Sequence, residues 1–272
     1  VVYQLNDLYR IQKKAKELQL ISKPIKILIR FRSPKYTARH GIKANSSNLK
    51  KLDEIFKKND LIQYHGFLSH LGTRLKSFKN YEKNIIHIIE IYKLLQTHTN
   101  LITKIINIGG GFPNADTIKR KSFLKILKKV KNLLEINNLR DKEIFYEPGR
   151  YIVGDTGFCL AQVYRVDDEN NTIFLNVGNN YIPKFMKSSL RFYNISNIAE
   201  SMNTPFDFMG NIPSDQDIFV KNFNFNRSVK MGDFILISNV GAYSLTWSTR
   251  FPYKFPKILY LNRNNFFFEE HT

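Results

Sequence analysis

Two hydrophobic patterns divide the chain. In the first part, short apolar runs alternate with longer stretches whose apolar residues recur three and four positions apart, as at Phe123, Ile126 and Val130. Such alternation is typical of strand and helix units in succession, and it predicts parallel strands. In the second part, short strands alternate with turn residues. We therefore predict an α/β domain over residues 1–152, followed by a β-rich domain over residues 153–272.

The same patterns predict the individual elements. The first helix is predicted to be capped by Asn6 or Asp7 and to run to about Leu20. Strands are predicted at residues 25–31, 63–69, 102–108 and 143–147, with helices across residues 49–56, 81–95 and 123–134. The strands predicted after these are 158–166, 172–177, 217–219, 233–238 and 257–261, and residues 194–213 are predicted to form a long irregular connection.

Parallel strands in this number are typical of part of a barrel. A full eight-fold βα barrel takes about 250 residues, and the α/β part holds about four or five units. An incomplete barrel leaves open sheet edges and uncovered apolar faces. We therefore predict a partial (β/α)8 TIM-type barrel followed by an all-β domain. We expect the barrel to begin upstream of the first residue, Val1.

Charge and composition narrow the classes of binding partner that the sequence favours. The 272 residues are 43% hydrophobic and 14% aromatic, which is ample for a buried core, and the formal net charge is +19. Such a charge suits nucleic acid or an acidic membrane when it is clustered. Here the lysines are spread over polar helix faces such as residues 119–131, and a compositional bias also explains the charge. A basic nucleic-acid-binding protein is therefore the weakest alternative.

Cysteine content and hydropathy limit the cellular compartment and the kinds of partner that the sequence favours. A single cysteine, Cys159, excludes an internal disulfide and a cysteine-based zinc cage, so the sequence favours a reducing cytoplasm and predicts no metal site. No run of about 18 uncharged apolar residues occurs, so no membrane partner is predicted. A small-molecule partner is the remaining expectation.

Polar residues follow three of the predicted strands, within residues 66–73, 107–113 and 146–150. The three glycines from Gly109 to Gly111 let backbone amides approach an anion, and a helix starting at about Thr117 would add its positive end. A phosphate site is one interpretation of this pattern. A flexible turn between strand and helix is the other.

The charged and imidazole groups at these strand ends also have two interpretations. His70 is either a hydrogen-bonded turn histidine or a site residue. Glu147 and Arg150 either form a salt bridge or have separate functions, with the carboxylate holding a ring nitrogen protonated and the guanidinium binding a phosphate or carboxylate. In order and at successive strand ends, these groups favour a barrel enzyme that holds a phosphorylated aromatic cofactor at its rim.

The segments resemble one family, the fold-type III pyridoxal-phosphate-dependent decarboxylases of ornithine, diaminopimelate and arginine. FLSHLGT resembles the His-x-Gly-Ser/Thr strand end of that family, INIGGGFP its glycine loop and EPGRYIVGDTG its Glu-Pro-Gly-Arg segment. Further on, VGAYSLTWSTRF resembles its Gly-Ala-Tyr segment, and GNIPSDQD takes the place of a Gly-Pro-x-Cys-(Asp/Glu)-Ser-x-Asp stretch. The resemblance covers roughly residues 1–261.

The resemblance implies a role for particular residues of this chain. His70 would stack on the pyridine ring of pyridoxal 5'-phosphate, and Glu147 would pair with the pyridine nitrogen. The residues that would surround the phosphate are Thr73, Gly109, Gly110, Gly111, Arg150 and Tyr243. The intact enzyme would decarboxylate an amino acid as a homodimer with a shared active site.

Three departures from the family bear on activity. The lysine that binds the cofactor covalently lies in this family upstream of everything present here, so no lysine of this chain is assigned to it. The family's Cys-acid pair is replaced by Pro213 and Ser214, with Asp215 and Asp217 nearby. Either Asp215 takes over a polar catalytic role in a branch with an altered substrate, or the lineage is losing activity. Asn107 stands where the family has an acid before the glycine loop. An inactive or regulatory relative is therefore the second hypothesis.

Overall fold

The chain folds as two units, Val1–Tyr151 and Ile152–Thr272. The computed structural model describes residues 1–19, 23–33, 39–72, 75–183, 189–262 and 265–269, with side chains up to residue 262. Each unit buries its own cluster of apolar side chains, as independently folding domains do.

Helices and strands alternate along the first unit. In chain order they are α1 (Leu5–Glu17), β1 (Ile25–Phe31), α2 (Ser46–Lys57), β2 (Ile62–Ser69), α3 (Phe78–His98), β3 (Ile105–Asn107), α4 (Arg120–Glu135), β4 (Glu143–Phe145) and α5 (Gly149–Val153). The four strands form one parallel sheet in the order β1-β2-β3-β4. The predicted succession of βα units is confirmed.

One face of the sheet is buried against the helices. Along β1 every second residue, Ile27, Ile29 and Phe31, is buried, which is the period of a strand. The apolar stripe of α2, including Leu49 and Leu52, meets the same core. Each such side chain contributes roughly 1.5–3 kcal/mol when fully buried, so this layer stabilises the unit.

The sheet has the open edges of a partial barrel. Within the described residues β4 pairs only with β3, and its Phe145 side chain is 40% exposed. Strands of a parallel sheet are ordinarily buried on both faces. At the opposite edge Val2 forms a parallel bridge with Ile29, its N–H donating to the Leu28 carbonyl oxygen over 2.9 Å. This bridge covers part of the β1 edge without adding a strand to the sheet.

Several element bounds of the first unit differ from the prediction, and β4 ends at Phe145 rather than at residue 147. Helix α1 is preceded by Gln4 as its N-cap, and Asp7 instead accepts a hydrogen bond from the Gln4 side chain. The third strand is confined to Ile105–Asn107, because Ile102 is exposed and the ladder to β2 begins only at Ile105. The predicted helix start at Thr117 is a single 3₁₀ turn, and the α-helix begins at Arg120.

The second unit is built mainly of strands. They are β5 (Phe158–Asp167), β6 (Thr172–Leu175), β7 (Arg191–Asn194), β8 (Thr204–Met209), β9 (Ile218–Phe225), β10 (Phe234–Ser238), β11 (Ile258–Asn262) and β12 (Asn265–Glu269), with a short helix α6 (Ser244–Trp247). Six of them form one mixed sheet in the order β7-β10-β5-β6-β8-β9, and β11 and β12 form a hairpin. The all-β prediction for this part of the fold is confirmed.

Aromatic side chains show that the six-stranded sheet curls. Strands β7 and β9 are the outer strands, yet the rings of Phe192 and Phe223 lie 5.3 Å apart between centroids. Phe192 also stacks on Phe208 of β8 at 4.3 Å. A flat sheet would separate strands at opposite ends of the order, so the inner face closes around these rings.

The predicted irregular connection over residues 194–213 is wrong in its centre. Strand β8 lies within it, with Phe206 and Phe208 alternating into the core. Pro205 concealed this strand, because proline removes a ladder donor and is typical of breaks.

Within the described part of the chain, no helix has the length and apolar character needed to cross a membrane.

Candidate functional site

Three strand ends meet at one rim of the first unit. The register aligns Leu68 of β2 with Asn107 of β3, and paired residues of a parallel sheet project from the same face. His70 and Gly109 each follow this pair by two positions and pack directly against each other, since a Cβ on Gly109 would lie within 3 Å of the His70 side chain. Glu147 joins them, since its backbone N–H donates to the Gly109 carbonyl oxygen over 3.0 Å. The imidazole, the glycine loop and the glutamate are therefore neighbours.

The glycine loop is packed too closely for a side chain. A Cβ on Gly109 would lie 2.7 Å from Nδ1 of His70. A Cβ on Gly110 would lie 2.4 Å from the carbonyl oxygen of Glu147. Glycine is required here because the histidine and the backbone of the following strand end approach the loop directly.

Two amides of this loop donate within the protein. The N–H of Gly109 donates to Oδ1 of Asn107 over 2.8 Å, and the N–H of Gly110 donates to Nδ1 of His70 over 3.1 Å. These hydrogen bonds hold the first two loop residues in place. An anion site formed by the loop amides stays a prediction.

Asn107 also holds the glutamate side chain. It is 5% exposed, and its Nδ2 donates to Oε1 of Glu147 over 2.9 Å while its Oδ1 accepts from Gly109. An amide can donate to a carboxylate, which an ionised acid cannot do. Asparagine at this position therefore supports Glu147 rather than leaving it without a partner.

The contacts of His70 define its protonation state. Because Nδ1 accepts the Gly110 N–H, that nitrogen carries no proton, and the neutral ring has its hydrogen on Nε2. Burial lowers the pKa of His70, the charge of Arg30 lowers it further, and Glu147 opposes the shift. The ring is thus presented as a neutral, half-buried plane.

This pKa shift predicts a pH dependence. As the pH falls below the ordinary histidine value of 6.5, the unfolded chain binds a proton at residue 70 before the folded chain does. Stability contributed by neutral His70 is therefore present above that value and is lost on acidification. We expect urea unfolding between about pH 7.5 and about pH 5 to show a larger loss for the natural chain than for His70→Asn, which keeps an acceptor without titrating. Equal losses would contradict this prediction.

The other predicted site residues are distributed over both units. Arg150, at the start of α5, is 7% exposed. Thr73 lies outside the described residues. Asp215 is exposed, in the turn before β9, and Tyr243 is 47% exposed with a left-handed backbone, φ +70°. Asp215 and Tyr243 belong to the second unit. The roles of all four residues at the site stay predictions.

A buried aspartate organises the segment that contains Pro213 and Ser214. Asp217 is 2% exposed, and its carboxylate accepts N–H groups from Asn179 over 2.7 Å and from Ile212 over 2.8 Å. Burial raises the pKa of Asp217, and the two hydrogen bonds oppose that shift. Asp217 therefore anchors this turn, while Pro213 and Ser214 are exposed on it.

Sequence reasoning missed two residues near the strand ends. Arg30 of β1 is aligned with Leu68 in the register, so it shares the face that leads to His70, and its charge acts on the His70 pKa. The available signal was a cation near the carboxyl end of a strand whose other charged residue, Lys26, lies at its start. Asn84 interrupts the apolar face of α3 and contacts both strand ends.

A parallel βα sheet with polar groups at the carboxyl ends of its strands, followed in the chain by a β unit, is the architecture of part of a βα barrel and a β domain. The family model described as "Pyridoxal-dependent decarboxylase, pyridoxal binding domain" matches residues 2–154. The chain belongs to this family of pyridoxal-dependent decarboxylases.

Relatives and solved structures agree with the family. A diaminopimelate decarboxylase of Staphylococcus aureus is 20% identical over 224 residues, covering 79% of this chain and 52% of the relative. A Dictyostelium discoideum protein named "Probable ornithine decarboxylase" is 22% identical, covering 91% and 56%. The crystal structure of Helicobacter pylori diaminopimelate decarboxylase with L-lysine superposes with a TM-score of 0.78 at 20% identity, covering 98% of this chain and 68% of that one. The chain spans about half the length of the curated relatives it matches.

Proposed function

We propose that this chain carries the later half of the cofactor barrel, residues 1–152, and the β domain, residues 153–272, of a pyridoxal-phosphate-dependent amino-acid decarboxylase. The observation that carries the proposal is the Glu147 carboxylate, held by the buried amide of Asn107 on the same rim as His70 and the glycine loop. A carboxylate fixed beside a neutral aromatic ring fits a protonated pyridine nitrogen and the face of its ring.

The residues present fit pyridoxal phosphate. When bound, this cofactor supplies a ring that withdraws the electrons left by loss of CO₂ from an amino acid. Glu147 would hold the proton on the pyridine nitrogen, and Asn107 would keep the carboxylate directed at that atom. His70 would lie against the ring face. The phosphate would be held by Gly111, Arg150, Tyr243 and Thr73, with Gly109 and Gly110 shaping the loop.

The named relatives support a proposed substrate class. Those relatives are diaminopimelate and ornithine decarboxylases, so we propose an amino acid of the diaminopimelate, ornithine and arginine class. We further propose a cytoplasmic homodimer, in which a site is shared between subunits. Asp215 would take the polar role at the segment where Pro213 and Ser214 replace the family's Cys-acid pair.

Cofactor binding by the chain itself tests the proposal. The probe is pyridoxamine 5'-phosphate, which lacks the aldehyde that would react with surface lysines, and titration calorimetry gives the affinity. We expect saturable binding that weakens by about tenfold or more for unphosphorylated pyridoxamine, as the loss of a charged hydrogen bond implies. Arg150→Lys, which removes the planar fork, should reduce that phosphate preference. Glu143→Gln, at the other end of β4, serves as the control and should change neither affinity.

Two further results decide between the alternatives. Equal affinity for the phosphorylated and unphosphorylated probes would overturn the proposed cofactor site. The complete gene product should release CO₂ from diaminopimelate, ornithine, lysine or arginine. Cofactor binding without CO₂ release would favour the inactive or regulatory relative, an alternative that rests on Pro213 and Ser214 in place of the family's Cys-acid pair.

A further inference from the structure

A buried asparagine lies on the apolar face of α3. Asn84 is 3% exposed and shares this face with Tyr81 and Ile88, one turn to either side, and with the adjacent Ile85. An amide in such surroundings costs free energy unless its polar atoms are hydrogen-bonded. Helix formation alone would be served better by alanine or leucine at this position. Residue 84 is therefore polar because of the groups that it contacts.

The contacts of Asn84 join two strands. Its Nδ2 donates to the carbonyl oxygen of Ser69 over 3.1 Å and to the carbonyl oxygen of Ile108 over 3.0 Å. Its Oδ1 accepts the Ser69 hydroxyl over 3.1 Å. Carbonyl oxygens only accept, so the atom facing both of them must be the nitrogen, and the orientation of the amide is determined.

These contacts lie next to the candidate site. The last register pair of β2 and β3 is Leu68 with Asn107, and Asn84 binds the two residues that follow that pair. His70 comes directly after the first of them, and Gly109 directly after the second. Asn84 therefore joins the strands where the ladder ends and the site residues begin.

We propose that Asn84 is a positioning residue for the site. By fixing the separation of the two strand ends, it keeps Nδ1 of His70 within reach of the Gly110 N–H, 3.1 Å away. This in turn holds the imidazole plane against the glycine loop. What the arrangement binds rests on the proposed function, whereas the effect of Asn84 on the His70–Gly110 hydrogen bond does not.

Three matched variants separate positioning from stability. Asn84→Asp keeps the shape and the acceptor but loses both N–H donors. Ser69→Ala removes only the hydroxyl bond and keeps those donors. Ile88→Ala creates a cavity one turn further along the same helix face, at a residue that is fully buried and does not contact the strand ends through hydrogen bonds.

Two readouts apply to each variant. The first is the affinity for pyridoxamine 5'-phosphate, and the second is the nitrogen-15 spectrum of the His70 ring and the Gly110 amide. We expect Asn84→Asp to lower the affinity by about tenfold, the scale of losing one or two hydrogen bonds, and to shift both spectral signals. Ser69→Ala and Ile88→Ala should stay within about twofold of the natural affinity and keep both signals, although Ile88→Ala lowers stability.

The outcomes distinguish this inference from the proposed function. An Asn84→Asp chain with natural affinity and unchanged His70 and Gly110 signals would overturn the positioning role. An equal loss in Ile88→Ala would also overturn it, because stability alone would then explain the result. If the natural chain does not bind the probe, the proposed function fails, while the spectra still decide whether Asn84 positions His70.

Discussion

Alanine in place of Gly111 is expected to destabilise the first unit by about 3 kcal/mol or more, from two separate costs. Gly111 has φ +92°, a region that residues with a Cβ rarely adopt. The new Cβ would also lie 2.2 Å from the carbonyl oxygen of Gly72. Gly111 is itself held by a backbone hydrogen bond, because the Leu75 N–H donates to its carbonyl oxygen over 2.8 Å. The glycine loop would have to move, and binding of pyridoxamine 5'-phosphate should be lost.

A second glycine provides the control for backbone conformation. Gly232 has nearly the same φ, +93°, and a Cβ there would meet no atom within 4 Å. Gly232→Ala should therefore lower the free energy of unfolding by only about 1 kcal/mol, because the new Cβ meets the unfavourable φ but no close contact. Urea unfolding of both variants measures the difference. Equal destabilisation would show that the contact with Gly72 is unimportant.

Glutamine in place of Glu147 is expected to lower CO₂ release by the complete protein on the order of 100-fold or more. Glutamine keeps the shape and an oxygen that accepts from Asn107, so the change removes mainly the negative charge. Without that charge, Glu147 would no longer hold the proton on the pyridine nitrogen of the proposed cofactor, whose ring would withdraw electrons less well. Affinity for the cofactor should change much less, because the proposed phosphate contacts would remain.

Steady-state kinetics and probe titration measure the two effects separately. Glu143→Gln removes the same charge from the opposite end of β4, where the residue is exposed, and should leave both quantities unchanged. A nitrogen-15 spectrum of labelled, bound pyridoxamine 5'-phosphate reports the protonation of the ring directly. Equal losses of turnover and affinity in Glu147→Gln would contradict the proposed role in the reaction and leave Glu147 as a binding group.

Element positions followed from periodicity wherever burial on one face dominated. The apolar residues of β1 and of α4 repeat at strand and helix periods, and both elements lie close to their predicted positions. Periodicity failed at β3, where Ile102 and Thr103 continue the β-branched run but the ladder has not begun. It also failed at β8, because Pro205 is read as a break although the strand pairs on both sides.

From the sequence, the site could be predicted only as a group of residues that lie near one another, without the hydrogen bonds between them. Parallel strands end at the same edge of a sheet, so His70, the glycine loop and Glu147 could be placed near one another from their order along the chain. The function of Asn107 could not be inferred in this way. In the sequence, Asn107 differs from the family only by lacking the acidic residue before the glycine loop. The structure shows that its amide donates to Glu147 and accepts from Gly109.

The sequence by itself determined the alternation of strands and helices, the change to β structure and the order of polar groups at the strand ends. These follow from local periods and from the steric freedom of glycine, which are properties of neighbouring residues. The tertiary structure alone decided the hydrogen bonds of the site. Asn84 and Asn107 reach partners 24 and 40 positions away, and the direction of such bonds depends on where the folded chain places each donor and acceptor.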